Sequence, residues 1–145
     1  MRTLILALTA LLVLPAAAAA ETDIASTCYT KCEESTDSNP EFKACLARAA
    51  DRADAALNQG YKDLQSAIRA TGKEMGQSPD AQLSSLTASQ KKWIAFRDDA
   101  CAFEDSLAFG GTAIGGNYSG CLCALSYSRI NDFERIRKHV LFSDQ

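Results

Sequence analysis

The sequence contains one histidine, His139, among 145 residues, and it has no C-x-x-C motif. Its closest cysteine pairs, Cys28-x3-Cys32 and Cys121-x-Cys123, do not have the usual spacing of zinc ligands. A catalytic nucleophile needs a neighbouring base, and no pair of acids, metal cluster or phosphate-binding loop stands out. We therefore predict no catalytic residue, no metal and no cofactor, and we interpret the protein as a non-enzyme.

Clustered positive charge is also missing. Lys and Arg number 15 against 18 Asp and Glu, which gives a formal net charge of −3, or −4 if Arg2 is lost with a cleaved leader. The phosphates of nucleic acids and anionic lipids attract clustered cations. This balance argues against nucleic-acid binding and favours a cationic partner.

Long apolar runs are absent beyond the first 20 residues. There, Arg2 precedes an apolar run over 4–14, and a stretch of small residues then fits cleavage near Ala20. This pattern is typical of a secretory signal peptide and is shorter than the run of about 20 apolar residues in a membrane anchor. We predict a signal peptide over 1–20 and a single domain over 21–145. The domain is expected in the periplasm or outside the cell, without stable membrane insertion, and no pattern indicates its oligomeric state.

The six cysteines all follow the predicted leader. An even number of cysteines in an oxidising compartment predicts three disulfides. Many pairings are possible, and the spacing alone does not choose among them. The residues concerned are Cys28, Cys32, Cys45, Cys101, Cys121 and Cys123.

Alternating strand patterns are lacking, and apolar residues instead recur every three or four positions. This periodicity predicts helices over 24–34 and 40–70, a third from about residue 87 and a fourth from about residue 119. The fold class is therefore all-α, as a small bundle of three to four helices stapled by disulfides.

Helix boundaries are predicted from capping signals. Ser38 and Glu41 form a capping-box pattern before the long second helix, and Gly72 is predicted to end that helix. Thr87 and Gln90 repeat the capping-box pattern and predict the start of the third helix.

The third helix places Trp93, Arg97 and Cys101 on one face. A catalytic interpretation lacks a base, and a nucleic-acid interpretation conflicts with the neighbouring acids and the export signal. We therefore interpret these residues as structural, pointing into the bundle. A buried guanidinium needs partners, and Asp54 and Asn58, one turn apart on the second helix, are the candidates.

The segment 109–120 contains five of the eight glycines and is predicted to be a loop between the third and fourth helices. It is either a connector or a contact surface, and the connector interpretation is favoured. As a contact surface it would present Gly110, Gly111, Thr112, Asn117, Tyr118 and Ser119.

The aromatic residues present a similar choice between an exposed surface and the core. Aromatic side chains at helical spacing are more often buried, so the core is favoured for Tyr29, Tyr61, Phe96, Phe103 and Phe109.

Taken in order, four motifs resemble the LprI-type lysozyme inhibitor family of small exported bacterial proteins, over the segment from Cys45 to beyond Arg129. Two residues depart from its pattern: Thr112 and Ser126 stand where the family tends to have Ser and Thr. The motifs are DAALNQGY at 54–61, Leu86-x3-Gln90-x2-Trp93-x3-Arg97-Asp98-x2-Cys101, Gly110-Gly111-Thr112, and Cys121-x7-Arg129.

The resemblance implies an all-helical exported domain with a set of structural residues. It suggests two disulfides, Cys32 with Cys45 and Cys101 with Cys121, which leaves Cys28 with Cys123; these last two look additional to the family pattern. The structural residues that it implies are Asp54, Asn58, Tyr61, Trp93, Arg97 and Arg129.

Two functions follow as hypotheses. The resemblance implies a periplasmic inhibitor that occupies the cleft of a lysozyme, an enzyme that is usually cationic and whose cleft contains two carboxylates. An acidic body would attract such an enzyme, and the glycine-rich loop would be the segment that enters the cleft. The alternative is an envelope structural or interaction module with a different protein or glycan partner.

Overall fold

The computed structural model describes residues 22–141, with side chains from Cys28 onward; the predicted signal peptide and its cleavage site lie outside this range. The described chain is an all-α bundle without strands, as predicted. Its elements are α1 Thr22–Glu34, α2 Asn39–Glu74, α3 Asp80–Ser106, α4 Gly116–Ile136 and a terminal π-helical segment Arg137–Leu141.

The central helix of the bundle is α4, which contacts α1, α2 and α3 and has its longest interface with α2. One apolar cluster joins α1, α2 and α4 through Cys28, Ala53 and Cys123. The other, around Leu57 and Phe133, lies further along α2 and α4. None of the helices described over 22–141 combines the length and apolarity needed to cross a membrane.

Three disulfides connect the helices. Cys28–Cys123 joins α1 to α4, Cys32–Cys45 joins α1 to α2, and Cys101–Cys121 joins α3 to α4. The family resemblance suggested the second and third of these pairs, and the first is the pair that it left over. Because α4 holds one end of two of these bonds, it is fixed covalently to both α1 and α3.

Tyr29 of α1 and Gly120 of α4 are in close contact. Gly120 is buried, and the Tyr29 ring occupies the space that a Cβ at position 120 would fill. The absence of a side chain at this position therefore sets how near the two helices can lie.

The start of α2 agrees with its predicted capping signal. The Ser38 hydroxyl accepts a hydrogen bond from the Glu41 backbone N–H at 3.4 Å and donates to the Glu41 carboxylate at 2.9 Å. One of the free N–H groups at the helix start is thereby satisfied.

The predicted end of α2 at Gly72 is wrong, because the helix continues to Glu74. The glycine that ends it is Gly76, which has a left-handed φ of +65°. The Gln77 N–H donates to the Gly72 carbonyl at 2.8 Å and the Gly76 N–H to the Lys73 carbonyl at 3.2 Å. These two bonds form a Schellman motif, for which Gly76 and not Gly72 supplies the left-handed residue.

The predicted start of α3 at Thr87 is also wrong, since the helix begins two turns earlier, at Asp80. Ser78 lies at this start and accepts the Asp80 N–H at 3.3 Å. Thr87 is inside the helix, where its hydroxyl donates to the Leu83 carbonyl at 2.8 Å and contacts the Tyr61 hydroxyl at 2.9 Å. Its resemblance to a capping residue was coincidental.

Candidate partner-binding site

Arg97 lies at the junction of α2, α3 and α4 and is only 9% exposed. Its guanidinium donates to Asp54 at 3.0 Å, to the Ser126 hydroxyl at 3.2 Å and to Asp98 at 2.9 Å. Asp54 is one of the two partners expected from helix spacing; the other candidate, Asn58, instead donates to the second Asp54 oxygen at 3.1 Å. Asn58 therefore orients the carboxylate that meets Arg97.

The charge of Arg97 is retained despite its burial. Burial disfavours the charged form, but the hydrogen bonds to Asp54 and Asp98 outweigh it, so the pKa of Arg97 is raised above its ordinary value. Both acids are about half exposed, so solvent screens these pairs. The guanidinium therefore stays charged and forms an ion pair that connects α3 to α2 through Asp54.

Trp93 is half-buried between two cations. Arg97 and Arg129 lie 5.5 Å and 5.6 Å from the centre of its ring. Arg129 also donates to the Gln90 side chain at 3.2 Å and stacks over Phe133. The predicted structural residues are thus brought together, and they tie α3 to α4.

We expect Arg97→Lys to lower the free energy of unfolding by about 1 to 2 kcal/mol, because an ammonium cannot reproduce the forked geometry that reaches Asp54, Asp98 and Ser126 at once. Urea unfolding of the oxidised protein would measure this. Lys92→Arg, an exchange in the opposite direction at an exposed position of the same helix, should leave stability within experimental error. Equal stability of Arg97→Lys and the wild type would contradict the structural role of the guanidinium fork.

The loop between α3 and α4 is shorter than predicted and covers residues 107–115. Gly110 and Gly115 have left-handed φ values of +83° and +81°, which require glycine, and Phe109 has a φ of +47°. Gly116 and Gly120 lie inside α4 and not in the loop. The fourth helix, predicted from about residue 119, therefore begins three residues earlier, at Gly116, and the expectation that no helix forms in this glycine-rich segment is wrong for its last part.

The base of this loop is clamped. Asp105 of α3 accepts the Gly115 N–H at 2.7 Å and the Tyr118 N–H at 3.2 Å. It thereby caps α4, whose own N-cap residue, Gly115, has no side chain to do so. The Cys101–Cys121 disulfide lies behind this contact, so both ends of the loop are fixed relative to the bundle.

The residues predicted for a contact loop fall into two groups. Gly110, Gly111 and Thr112 are exposed at the tip of the loop. The remaining three are partly buried in the first turn of α4, a location that differs from the prediction; they are Asn117, Tyr118 and Ser119.

Tyr29 supports the first turn of α4 from below, since its hydroxyl donates to the Asn117 carbonyl at 3.3 Å. Its burial and the nearby carboxylates of Glu104 and Asp105 raise the pKa of this phenol. The hydroxyl therefore keeps its proton, and the hydrogen bond, throughout the physiological pH range.

Sequence reasoning missed the exposure of three aromatic residues. Phe96, Phe103 and Phe109 are 61%, 66% and 91% exposed, so the expectation that they lie in the core is wrong for them. Tyr29 and Tyr61 are partly buried. The spacing of Phe96 and Phe103 gives one available signal, because it puts them on a different face of α3 from Arg97 and Cys101.

Comparison with known proteins gives a family match and one relative. The family model described as lysozyme inhibitor LprI matches residues 30–133. An uncharacterized protein of Rhizobium meliloti (strain 1021) is 31% identical over 102 residues, which cover 68% of this chain and 73% of that protein. No solved structure matches. The family match begins before Cys32 and so extends further towards the N-terminus than the motifs that carried the sequence resemblance.

Proposed function

The chain belongs to the LprI lysozyme inhibitor family, and from this membership we propose that it binds a lysozyme and blocks the enzyme's cleft with loop 107–115. The observation that carries the proposal is the clamped, exposed geometry of this loop, held by Asp105 and by Cys101–Cys121. A segment already fixed in one shape loses little conformational freedom when it enters a cleft.

The chemistry of the loop suits an acidic cleft. Residues 107–115 contain no Asp, Glu, Lys or Arg, and Thr112 offers a hydroxyl at the exposed tip. Glycosidase clefts contain two carboxylates, which would repel an acid and accept a hydrogen bond from a hydroxyl or a backbone N–H. A neutral tip with a nearby hydroxyl can therefore approach both carboxylates without an electrostatic penalty.

The rest of the molecule supports attraction at a distance. Its formal net charge is −3 with the leader included, and lysozymes are usually cationic. Opposite net charges raise the rate of encounter and make it dependent on ionic strength. In this proposal the body of the protein steers the enzyme, while the neutral loop makes the contact.

We further propose that the protein acts outside the cytoplasm, as a non-enzymatic single domain over 21–145 after cleavage of residues 1–20 near Ala20. Support comes from the three disulfides, which persist in oxidising compartments, and from the leader-like composition of the first 20 residues. Peptidoglycan, the substrate of lysozymes, lies in the same compartment.

Thr112→Glu is expected to weaken lysozyme inhibition about tenfold, because a third carboxylate would face the two in the cleft. Thr112→Ser should inhibit like the wild type, since it keeps the hydroxyl. The measurement is the clearing of a peptidoglycan suspension by chicken-type, goose-type and invertebrate-type lysozymes in the presence of the purified oxidised protein.

A matched control separates local from global charge effects. Ser66→Glu adds the same charge at an exposed position of α2 that is distant from the loop. The part of α2 nearest the loop end is marked by Leu46, which contacts Gly116. Ser66 is 20 residues further along α2, or about 30 Å. Ser66→Glu should leave inhibition unchanged. If wild-type protein in micromolar excess slows none of the three lysozymes, the proposed function is wrong, and an interaction module with another envelope partner becomes the better interpretation.

A further inference from the structure

An exposed apolar row runs along α3 and into the loop that follows it. Phe96, Phe103 and Leu107 are 61%, 66% and 51% exposed, and Phe109 and Ile114 are 91% and 45% exposed. We call these five residues the aromatic ridge. Several large apolar side chains exposed on one helix face and in the loop that follows it often mark an interaction site.

The arrangement of α3 is inverted with respect to an ordinary amphipathic helix. Its buried residues are Gln90, Arg97 and Cys101. Phe96, Phe103 and Leu107 repeat the same spacing of seven and four residues but lie about 120° around the helix, where they face solvent. Because polar groups are buried while phenyl rings are exposed, packing within the bundle does not explain the ridge.

Phe109 combines two unfavourable features in the isolated chain. Its φ of +47° places a bulky side chain in the left-handed region, and its ring is the most exposed of the large apolar side chains described over 28–141. Strained residues that the surrounding structure holds in place are concentrated at ligand-binding sites. Here the Phe109 N–H donates to the Ser106 carbonyl at 3.1 Å, and Asp105 fixes the far end of the same loop through Gly115.

The charges around the ridge favour one class of binding partner over the others. From Asp98 to residue 128 the sequence contains four acids and no Lys or Arg. Two of these acids are engaged, Asp98 by Arg97 and Asp105 by backbone N–H groups, while Asp99 and Glu104 are exposed. A second copy of this surface, or an anionic membrane, would bring like charges together, whereas a cationic protein would not.

We propose that the aromatic ridge is the docking surface for a cationic protein and that Phe109 is its anchor, inserted into an apolar pocket of the partner. This inference rests on the proposed function, in that the cationic partner is a lysozyme. The catalytic acid of a lysozyme is kept in an apolar pocket, and a phenyl ring beside a neutral loop is suited to enter such a pocket. Aromatic anchors of this kind dominate the energetics of many protein interfaces.

The experiment measures binding of the mature oxidised protein to chicken-type, goose-type and invertebrate-type lysozymes by surface plasmon resonance, alongside the peptidoglycan-clearing assay. Phe109→Asn removes the ring and introduces a residue that tolerates the left-handed region. We expect it to raise the Kd about thirtyfold without lowering the melting temperature. Phe103→Ser is expected to raise the Kd about tenfold, again with the fold intact.

Met75→Ser is the matched control, because Met75 is 56% exposed but lies at the opposite end of α2 from the loop. It should bind like the wild type. Asp99→Asn combined with Glu104→Gln should reduce the association rate severalfold at low salt and leave it nearly unchanged at high salt.

The outcomes separate the inference from the function on which it rests. If the wild type inhibits a lysozyme and Phe109→Asn and Phe103→Ser inhibit equally well, the ridge proposal is wrong and the inhibitor proposal stands. If the wild type binds none of the three lysozymes, both are overturned. Two other results would also overturn the proposal. Cosedimentation of the wild type with anionic phospholipid vesicles, if Phe103→Ser abolished it, would assign the ridge to membrane binding. A dimer in sedimentation velocity, if the same substitution abolished it, would assign the ridge to self-association.

Discussion

Replacement of both Cys28 and Cys123 by alanine is expected to lower the free energy of unfolding by about 4 to 5 kcal/mol, the largest effect of removing any one disulfide. The bond joins residues 95 positions apart, so it removes more freedom from the unfolded chain than a bond that closes a short loop. Both sulfur-bearing residues are also buried, within the cluster that joins α1, α2 and α4.

The matched control is the pair Cys32→Ala and Cys45→Ala, which removes a bond between residues only 13 positions apart. The chain-entropy model gives about 3 kcal/mol for a loop of this size. Both double variants leave two disulfides and a truncated α1 contact, so their difference reports loop length together with the deeper burial of Cys123 than of Cys45. Urea unfolding at constant pH, followed by far-ultraviolet circular dichroism, measures both. Equal losses, or a larger loss for the Cys32–Cys45 pair, would contradict the entropic explanation.

Gly120→Ala is expected to lower the free energy of unfolding by about 2 to 3 kcal/mol, although alanine is the better helix former. The added Cβ would overlap the Tyr29 ring, and α1 cannot move away freely because Cys28–Cys123 and Cys32–Cys45 hold it. Strain from overpacking therefore exceeds the gain in helix propensity. Thermal and urea unfolding of the single variant measure the net effect.

Gly60→Ala provides a control of opposite sign. Gly60 also lies inside a helix, but a Cβ there would meet its nearest neighbour, the Phe133 ring, at an ordinary contact distance of 3.6 Å. We expect this variant to be more stable than the wild type by about 0.5 to 1 kcal/mol. Combining Gly120→Ala with Tyr29→Ala should cost less than the sum of the two single changes, because the clash is gone. Strict additivity would show that the Tyr29 contact does not explain the glycine.

The long second helix could be predicted because its signals are local. Its apolar stripe repeats over many turns, and Ser38 with Glu41 marks its start by chemistry that operates within four residues. Its end was harder to predict, because Gly72 and Gly76 both follow the stripe. The helix ends at the glycine that adopts a positive φ, which is Gly76. This conformation accompanies two backbone hydrogen bonds, from Gln77 to Gly72 and from Gly76 to Lys73, and the sequence does not show which glycine will form them.

The start of the third helix could not be predicted correctly from a single sequence. Thr87 and Gln90 have the spacing of a capping box, yet Gln90 is buried and accepts a hydrogen bond from Arg129 of α4. Such a role depends on residues 39 positions away, and no local pattern encodes it. For Phe96 and Phe103 the spacing does distinguish their face of α3 from that of Arg97 and Cys101, but which of the two faces is buried depends on the helices that pack against α3.

In the candidate site, ion pairing was more predictable than capping. A buried arginine requires a carboxylate, and helix periodicity restricts the choice on α2, so Asp54 could be named as a partner of Arg97. Asp105 could not be named as the cap of α4, because capping from a preceding helix has no fixed spacing. The left-handed φ of Phe109 was equally invisible, because phenylalanine rarely adopts it.

Because Asp105 and the Cys101–Cys121 bond hold the loop at its base, we expect the folding of the bundle to be insensitive to the side chains at the exposed tip, residues 112–114. Substitutions at these three positions are therefore expected to leave the scaffold intact, so that under the proposed function partner specificity can be altered without loss of the fold. The same separation makes the tip a suitable position for inserting foreign peptides in engineered variants.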